Sequence, residues 1–142
     1  MSIATDPKTI LIVDDDRVIL KALSTCLTAR GFIVFTAQER SEALAVTRGS
    51  RPDLIVIDVN FPREVGHGSG AWDGLALMSW IRQLFGNIPV IVISGTQTDD
   101  IKERAMTMGA LRFFQKPVKP WELLAVIQEA LSAHSIQESA AA

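Results

Sequence analysis

Cysteine is nearly absent from this sequence, and long apolar runs are missing altogether. Cys26 is the only cysteine among the 142 residues, so the chain forms no internal disulfide and no thiolate metal cluster of its own. No apolar run approaches the roughly 18 to 20 residues that a membrane-spanning helix requires. The N-terminus also lacks a charged-then-apolar leader. We therefore expect a soluble, cytoplasmic protein that makes no membrane contact.

Concentrated positive charge is missing as well. The 14 lysines and arginines are outnumbered by 16 aspartates and glutamates, for a formal net charge of -2. No stretch gathers the cations that neutralise nucleic-acid phosphates, so this chain is not expected to bind nucleic acid. His67 and His134 are the only histidines, and neither lies in a segment predicted to be helical. This argues against a histidine kinase.

Apolar residues make up 48% of the chain, which is enough for one domain with a sizeable core. Short β-branched runs alternate with longer amphipathic stretches, the pattern of βαβ units around a parallel sheet. The first, third and fourth runs are apolar throughout and are placed at the centre of the sheet. The predicted strands are Thr9–Val13, Phe32–Phe35, Leu54–Ile57, Pro89–Ile93 and Leu111–Phe114.

The intervening stretches predict five helices, with Val18 among the inward residues of the first, and with Trp80 and Trp121 packed against neighbours. Thr98 is the expected N-cap of the fourth helix. A single domain over residues 1–142 is expected, with its core at about 8–133 and a frayed tail at 134–142. The predicted helices are Arg17–Ala29, Glu39–Arg48, Gly74–Leu84, a fourth helix ending at Gly109, and a fifth that begins near Pro120.

Charged and hydroxylic side chains follow four of the predicted strands. Asp14, Asp15 and Asp16 follow the first strand and Asp58 the third, whereas Ser94 follows the fourth and Lys116 the fifth. Functional groups of a parallel α/β sheet collect at the carboxyl ends of its strands. Neighbouring carboxylates repel, and a hard divalent cation relieves that repulsion. The pattern predicts a Mg²⁺ site beside a carboxylate suited to phosphoryl transfer.

From about Lys8 to Ala133 the chain resembles the receiver domain of two-component response regulators. The resemblance rests on the segments ILIVDDD, DLIVIDVNFP, PVIVISG and KPV, which occur in this order. It implies an α/β, flavodoxin-like fold, a doubly wound five-stranded parallel sheet with strand order 2-1-3-4-5. It also implies a cis peptide bond between Lys116 and Pro117.

The resemblance further implies a role for each matching residue. Asp58 is the expected phosphoacceptor, and Asp14, Asp15, Asp58 and the backbone carbonyl of Asn60 are the expected metal ligands. Lys116 would pair with the phosphoryl group. Ser94 would bond the same group through its hydroxyl, and the ring of Phe113 would report that bond. Phe113 departs from the tyrosine common in the family, which leaves no ring hydroxyl to hydrogen-bond.

A long loop is the clearest departure from the family pattern. Between Pro62 and the Asp73–Gly74 pair lie about eight residues more than the family usually has, and three of the loop residues are glycines. Surface insertions of this kind cost little loop-closure entropy, so a tolerated insertion is one interpretation. The other is a lid or partner surface beside Asp58.

Each of these residues also has an ordinary structural explanation. Asp14, Asp15 and Asp16 would serve as helix caps, Asp58 as a turn residue, Ser94 as a loop serine and Lys116 as a solvated charge. Their joint occurrence at four strand ends favours the functional interpretation. A phosphorylation-independent binding module of the same fold remains the alternative. A phosphatase is disfavoured because no second carboxylate stands two residues after Asp58.

The expected function is that of a phosphoacceptor in a phosphorelay rather than of an enzyme. A sensor histidine kinase or a histidine phosphotransfer protein would supply the phosphoryl group. Phosphorylation would then alter the surface formed by helix 4, strand 5 and helix 5, which is also a candidate homodimer surface.

Overall fold

Strands and helices alternate along the whole chain. The computed structural model describes residues 6–59, 73–95 and 99–141, and all element bounds below refer to these residues. The strands are β1 (Thr9–Val13), β2 (Ile33–Ala37), β3 (Leu54–Asp58), β4 (Val90–Ser94) and β5 (Arg112–Gln115). The helices are α1 (Arg17–Ala29), α2 (Arg40–Ser50), α3 (Asp73–Phe85), α4 (Asp99–Thr107) and α5 (Pro120–Ala141).

The five strands form one parallel sheet in the order β2-β1-β3-β4-β5, which confirms the predicted fold class. β1, β3 and β4 occupy the centre, as their uninterrupted apolar runs predict. Every residue of β3 and β4 is buried. A strand that is covered on both faces has no solvent-facing side, so its sequence does not alternate between apolar and polar residues.

Two separate cores cover the two faces of the sheet. Leu11 and Val13 point to the side that α2, α3 and α4 cover, whereas Ile10 and Ile12 point to the side that α1 and α5 cover. This division follows from the two-residue period of a strand, which sends successive side chains to opposite faces. The helices therefore hold the sheet from both sides.

Three large side chains that were predicted to pack are exposed instead. Val18 is 77% exposed, Trp80 50% and Trp121 66%. The reason is the same each time: each lies two positions from a buried residue, Leu20, Met78 or Leu123. Two positions correspond to about 200° around a helix, so these side chains face away from the core.

The tail and two of the loops also bear on the sequence predictions. α5 continues to Ala141, so residues 134–141, expected to be frayed, have helical backbone, and His134 lies within a helix. The alanines, glutamine and glutamate of this segment are good helix formers. The predictions that concern the long loop, Asn60 and the Thr98 cap lie outside the described residues. The other boundaries agree to within two residues.

Gly74, in the first turn of α3, brings that helix directly against the end of β3. Its backbone N–H donates to the Val59 carbonyl at 3.0 Å. A Cβ atom at position 74 would lie 2.2 Å from the Asp58 carbonyl oxygen and 2.7 Å from the Val59 Cα. Both are backbone atoms, so no side-chain rotation relieves the contact. Glycine is thus required where α3 supports the backbone that carries Asp58.

We expect Gly74→Ala to lower the free energy of unfolding by about 2 to 3 kcal/mol, because overpacking against backbone forces the helix away from the strand. Gly49→Ala is the matched control. Gly49 is also helical, but a Cβ atom there meets nothing within 4 Å, so alanine should be neutral or stabilising by up to about 1 kcal/mol. Urea unfolding of the two variants measures both changes. Equal effects would show that α3 does not press on β3.

Candidate functional site at the carboxyl ends of the strands

Three carboxyl groups meet at the carboxyl edge of the sheet. Asp14 and Asp15 follow β1, and Asp58 is the last residue of β3, the strand beside β1. One carboxylate oxygen from each lies within 4.8 Å of the others. Asp14 is fully buried and Asp58 is 2% exposed, whereas Asp15 faces solvent. The acidic cluster predicted from the sequence is therefore present, with Asp14 and Asp58 on its buried side and Asp15 on its solvent side.

Lys116 places an ammonium group between the two buried carboxylates. Its Nζ lies 3.0 Å from Asp14 Oδ2 and 3.1 Å from Asp58 Oδ2, and it donates a hydrogen bond to Asp58. The Lys116 backbone N–H donates to the Ser94 carbonyl at 2.8 Å, continuing the pairing of β4 with β5. The following peptide bond to Pro117 is cis, as the resemblance implies. The pairing of β5 with β4 thus places Lys116 beside Asp14 and Asp58, which are distant from it in the sequence.

Asp14 is held in place by the backbone around it. Its N–H donates to the Ala37 carbonyl at 3.1 Å, and its Oδ1 accepts from the Asp16 N–H at 3.0 Å. The other oxygen, Oδ2, is buried and accepts no hydrogen bond from the described residues, because the Lys116 ammonium meets it as an ion pair outside hydrogen-bond geometry. The charge of this buried oxygen is therefore balanced by the Lys116 ammonium rather than by a backbone donor.

The third aspartate of the run has a different role. The Asp16 side chain accepts from the N–H groups of Val18 at 2.9 Å and Ile19 at 3.4 Å, and so caps α1. The ordinary capping interpretation is therefore correct for Asp16, as the residue types favoured at helix N-termini allow. Asp14 and Asp15 are left for the acidic cluster. A single tripeptide thus both starts a helix and supplies two carboxylates.

Burial and neighbouring charge change the proton affinity of two groups in this cluster. The pKa of Asp14 is raised, first by burial and then by the Asp58 charge, although the Asp16 N–H and Lys116 oppose the change. For Lys116, burial by itself lowers the pKa, but the charges of Asp58 and Asp14 outweigh it and raise the pKa above its ordinary value. Lys116 is therefore a cation at neutral pH.

Two further predicted site residues, Ser94 and Phe113, lie on β4 and β5. Ser94 is the last residue of β4 and is fully buried. Phe113 is partly buried and packs against the core that α2, α3 and α4 cover. The support that Gly74 gives to Asp58 was not predicted. Its sequence signal is a glycine at the start of a helix, where a poor helix former is retained for a close backbone approach.

The donor atoms of the cluster suit a hard divalent cation. Asp14, Asp15 and Asp58 offer carboxylate oxygens, the ligand type that Mg²⁺ and Ca²⁺ prefer. With Lys116 included, the four ionised groups carry one positive and three negative charges, so a cation would offset the excess. The buried oxygen of Asp14 that lacks a donor is consistent with this role.

The family model for the response regulator receiver domain matches residues 10–128 of this sequence. The transcriptional regulatory protein PrrA of Mycobacterium tuberculosis is 33% identical over 127 residues, which cover 89% of this chain and 51% of PrrA. The response regulator MprA of Mycobacterium sp. strain KMS is 34% identical over 134 residues, which cover 93% of this chain and 54% of MprA. This chain thus spans about half the length of these relatives.

Solved structures show the same similarity. A CheY-like receiver domain protein from Methanospirillum hungatei superposes with a TM-score of 0.82 at 27% identity, covering 93% of this chain and 99% of that one. NtrX from Brucella abortus superposes with a TM-score of 0.84 at 28% identity, covering 95% of this chain and 29% of NtrX. No helix among the described residues has the length and apolar character needed to cross a bilayer.

The raised pKa of Asp14 predicts that Asp14→Asn stabilises the metal-free protein, because the change removes a buried charge that repels Asp58. We expect the melting temperature in EDTA to rise by about 4 °C, the shift that ~1 kcal/mol produces in a domain of this size. Asp6→Asn, at an exposed position, should change nothing.

The pH dependence has a definite sign. A carboxyl group whose pKa is higher in the folded state destabilises the fold fully above that raised pKa, and not at all below the unfolded value of about 3.9. The difference between wild type and Asp14→Asn should therefore shrink as the pH falls toward 4. Thermal melts over a pH series measure it, and a lower melting temperature for Asp14→Asn at pH 7 would contradict the account.

Proposed function

The chain belongs to the response regulator receiver family of two-component systems, and from that premise we propose that Asp58 accepts a phosphoryl group from a sensor histidine kinase or a histidine phosphotransfer protein. The observation that carries the proposal is the pair of contacts that Lys116 makes with buried Asp14 and Asp58. A cation held against one carboxylate from each of two strands is an arrangement prepared for a transferred anion.

In the proposed transfer, an Asp58 carboxylate oxygen forms a bond to phosphorus as the P–N bond of the donor phosphohistidine breaks. The imidazole leaves with the electron pair of that bond. Lys116 remains protonated and balances charge on the phosphoryl oxygens, which its raised pKa supports. The step needs no further reactant, and the product is an acyl phosphate on the protein itself. We therefore regard the domain as a signalling module rather than an enzyme with a separate substrate.

The metal in this proposal is Mg²⁺, held by Asp14, Asp15 and Asp58 together with the backbone carbonyl of Asn60, which lies outside the described residues. When bound, it would neutralise negative charge that otherwise repels the incoming phosphoryl group. Asp14 and Asp58 contribute the buried side of the site, and Asp15 the solvent side. Because Asp15 faces solvent, the cation has a route in that does not disturb the core.

We propose that the switch uses Ser94 and Phe113. The Ser94 hydroxyl would bond a phosphoryl oxygen, since Ser94 ends β4 beside the strand that carries Asp58. Phe113 would then follow by packing alone, because its ring has no hydroxyl. Three exposed apolar side chains support an output surface formed by α4, β5 and α5: Met106 on α4, Leu111 just before β5, and Trp121 on α5. A homodimer through this surface, the cytoplasmic location and control of transcription, as the name of PrrA implies for that relative, belong to the same proposal.

A receiver fold that binds partners without phosphorylation is the alternative function. It would be favoured by the loss of an acidic or lysine position. None is lost here: Asp14, Asp15, Asp58 and Lys116 are all present, and the structure brings them together. The first of the two experiments below separates the alternatives, because a phosphorylation-independent module need not be labelled at all.

We expect acetyl phosphate to add one phosphoryl group in the presence of Mg²⁺ and none in EDTA, because the anion cannot approach the carboxylates until their charge is offset. Intact-mass spectrometry measures the label. Asp58→Asn should abolish it, whereas Asp53→Asn, a change at the start of β3 rather than at its end, should retain it. Equal labelling of wild type and Asp58→Asn would rule out Asp58 as the acceptor.

The neighbouring aspartates Asp15 and Asp16 provide a matched pair for the metal site. Asp15→Asn should raise the Kd for Mg²⁺ about tenfold, the change that ~1.4 kcal/mol produces, because the cation loses an anionic ligand. Asp16→Asn should leave the Kd unchanged, since Asp16 caps α1 and asparagine caps equally well. The Mg²⁺ dependence of the melting temperature gives both constants. Equal Kd values for Mg²⁺ in the two variants would show that Asp15 is not a ligand of the metal.

A further inference from the structure

Arg82 joins two helices at the edge of the sheet opposite the acidic cluster. It lies in the last turn of α3, and its guanidinium donates to the Gly109 carbonyl at 3.0 Å. Gly109 stands between the end of α4 and the start of β5. A basic residue in the last turn of a helix also complements the helix dipole, which alone would explain an arginine at this position. The hydrogen bond to Gly109 shows that Arg82 also links α3 to the segment that follows α4.

The Arg82 guanidinium and the Gly109 backbone approach each other closely. Gly109 has a φ of +100°, which favours glycine, and a Cβ atom there would lie 2.3 Å from Arg82 Nη1. Arg82 Nε is buried and has no hydrogen-bond partner among the described residues. The Nε end of the guanidinium is therefore buried, whereas its bond to the Gly109 carbonyl lies at an exposed position. A charge-assisted hydrogen bond is stronger than one between neutral groups.

α4 contributes fewer buried side chains to the core than α3 does. The buried residues of α4 are Ile101 and Ala105, whereas α3 buries Leu75, Leu77, Met78 and Ile81. A hydrogen bond at the C-terminal end of α4 therefore adds to a smaller apolar contact than α3 has. α3 itself is well anchored, because the Arg51 guanidinium, just after α2, lies 5.2 Å from the centre of the Phe85 ring. Two arginines thus connect the ends of α2, α3 and α4 in sequence.

The two ends of α4 are held differently. At its C-terminal end, the N–H groups of Met108, Gly109 and Ala110 donate to Arg104, Met106 and Ala105. Arg82 then fixes the Gly109 carbonyl, and the Leu111 N–H donates to the Val90 carbonyl as β5 begins. The N-terminal end begins at Asp99, five residues beyond Ser94. The N-terminal end of α4 is therefore the end that lies nearer in sequence to Ser94, whereas Arg82 contacts the opposite end.

We propose that Arg82 is a positioning residue that fixes the C-terminal end of α4, so that phosphorylation displaces chiefly the N-terminal end of this helix. This inference rests on the proposed function, because it specifies how the switched surface moves. Arg82 touches neither Asp58 nor the expected metal ligands. Arg82 would fix the end about which α4 turns, which we call the pivot, and phosphorylation at the acidic cluster would cause the displacement.

Hydrogen exchange of individual amides, followed by NMR in the full chain, tests the pivot. In Arg82→Met, exchange of Met108, Gly109 and Ala110 should accelerate roughly five- to tenfold, the effect of losing a hydrogen bond of ordinary strength at an exposed position, while β1, β3 and β4 stay as protected as in wild type. Arg82→Lys should restore part of the protection, since an ammonium still donates. Arg30→Met, at an exposed position just after α1, is the matched control and should match wild type.

Beryllofluoride with Mg²⁺ then tests the direction of motion. In wild type it should change the exchange of the first turn of α4 and leave Met108, Gly109 and Ala110 nearly unchanged. In Arg82→Met the change should spread to these three amides, while labelling of Asp58 by acetyl phosphate stays at the wild-type level. Normal labelling in this variant separates the pivot from the phosphoryl chemistry.

Three results would overturn the inference. These are wild-type exchange at the three amides in Arg82→Met, a uniform loss of protection in every element of that variant, or a response of the three amides already present in wild type. A wild type that ignores both acetyl phosphate and beryllofluoride would instead refute the proposed function. The exchange of the unmodified variants would still decide whether Arg82 fixes α4.

Discussion

The contact of one ammonium group with two buried carboxylates is the constraint on which the rest of this structure depends. Asp14 and Asp58 are out of water, and Lys116 is the described cation that meets both. Burying a carboxylate is expensive, and one lysine cannot neutralise two of them, so the cluster keeps an excess of negative charge. Burial raises the pKa of Asp14 first, and the Asp58 charge adds to the effect, whereas the charges of the two carboxylates raise the pKa of Lys116.

Such a cluster is tolerated because the apolar sheet beneath it supplies the stability that the charges remove. β3 and β4 are fully buried, and helices cover both faces of the sheet. The polar groups are confined to the carboxyl edge, where parallel strands bring residues that are distant in sequence together. The apolar sheet that stabilises the fold and the charged cluster that destabilises it are therefore separate regions of one domain.

The sequence predicts the parts of this molecule whose signals are local. The apolar runs of β1, β3 and β4 predicted the sheet centre, and the motifs at the strand ends predicted the acidic cluster with Lys116. The facing of single helical residues was harder, as Val18, Trp80 and Trp121 show, because apolar character alone does not say which side of a helix packs. The Arg82–Gly109 contact has no local signal, because it joins the end of one helix to a loop that only the fold brings beside it.

The hydrogen bond between the Gly74 N–H and the Val59 carbonyl closes the chain on itself at the rim of the site. Val59 and Gly74 are therefore held at a fixed separation, and the loop-closure entropy of the segment between them grows only logarithmically with its length. Beyond Asn60, whose backbone carbonyl is an expected metal ligand, this segment can lengthen or diverge in sequence at little cost in free energy while Asp58 stays in place. The domain thus has, next to its acidic cluster, an interval of sequence in which new recognition elements can evolve with few constraints from the fold.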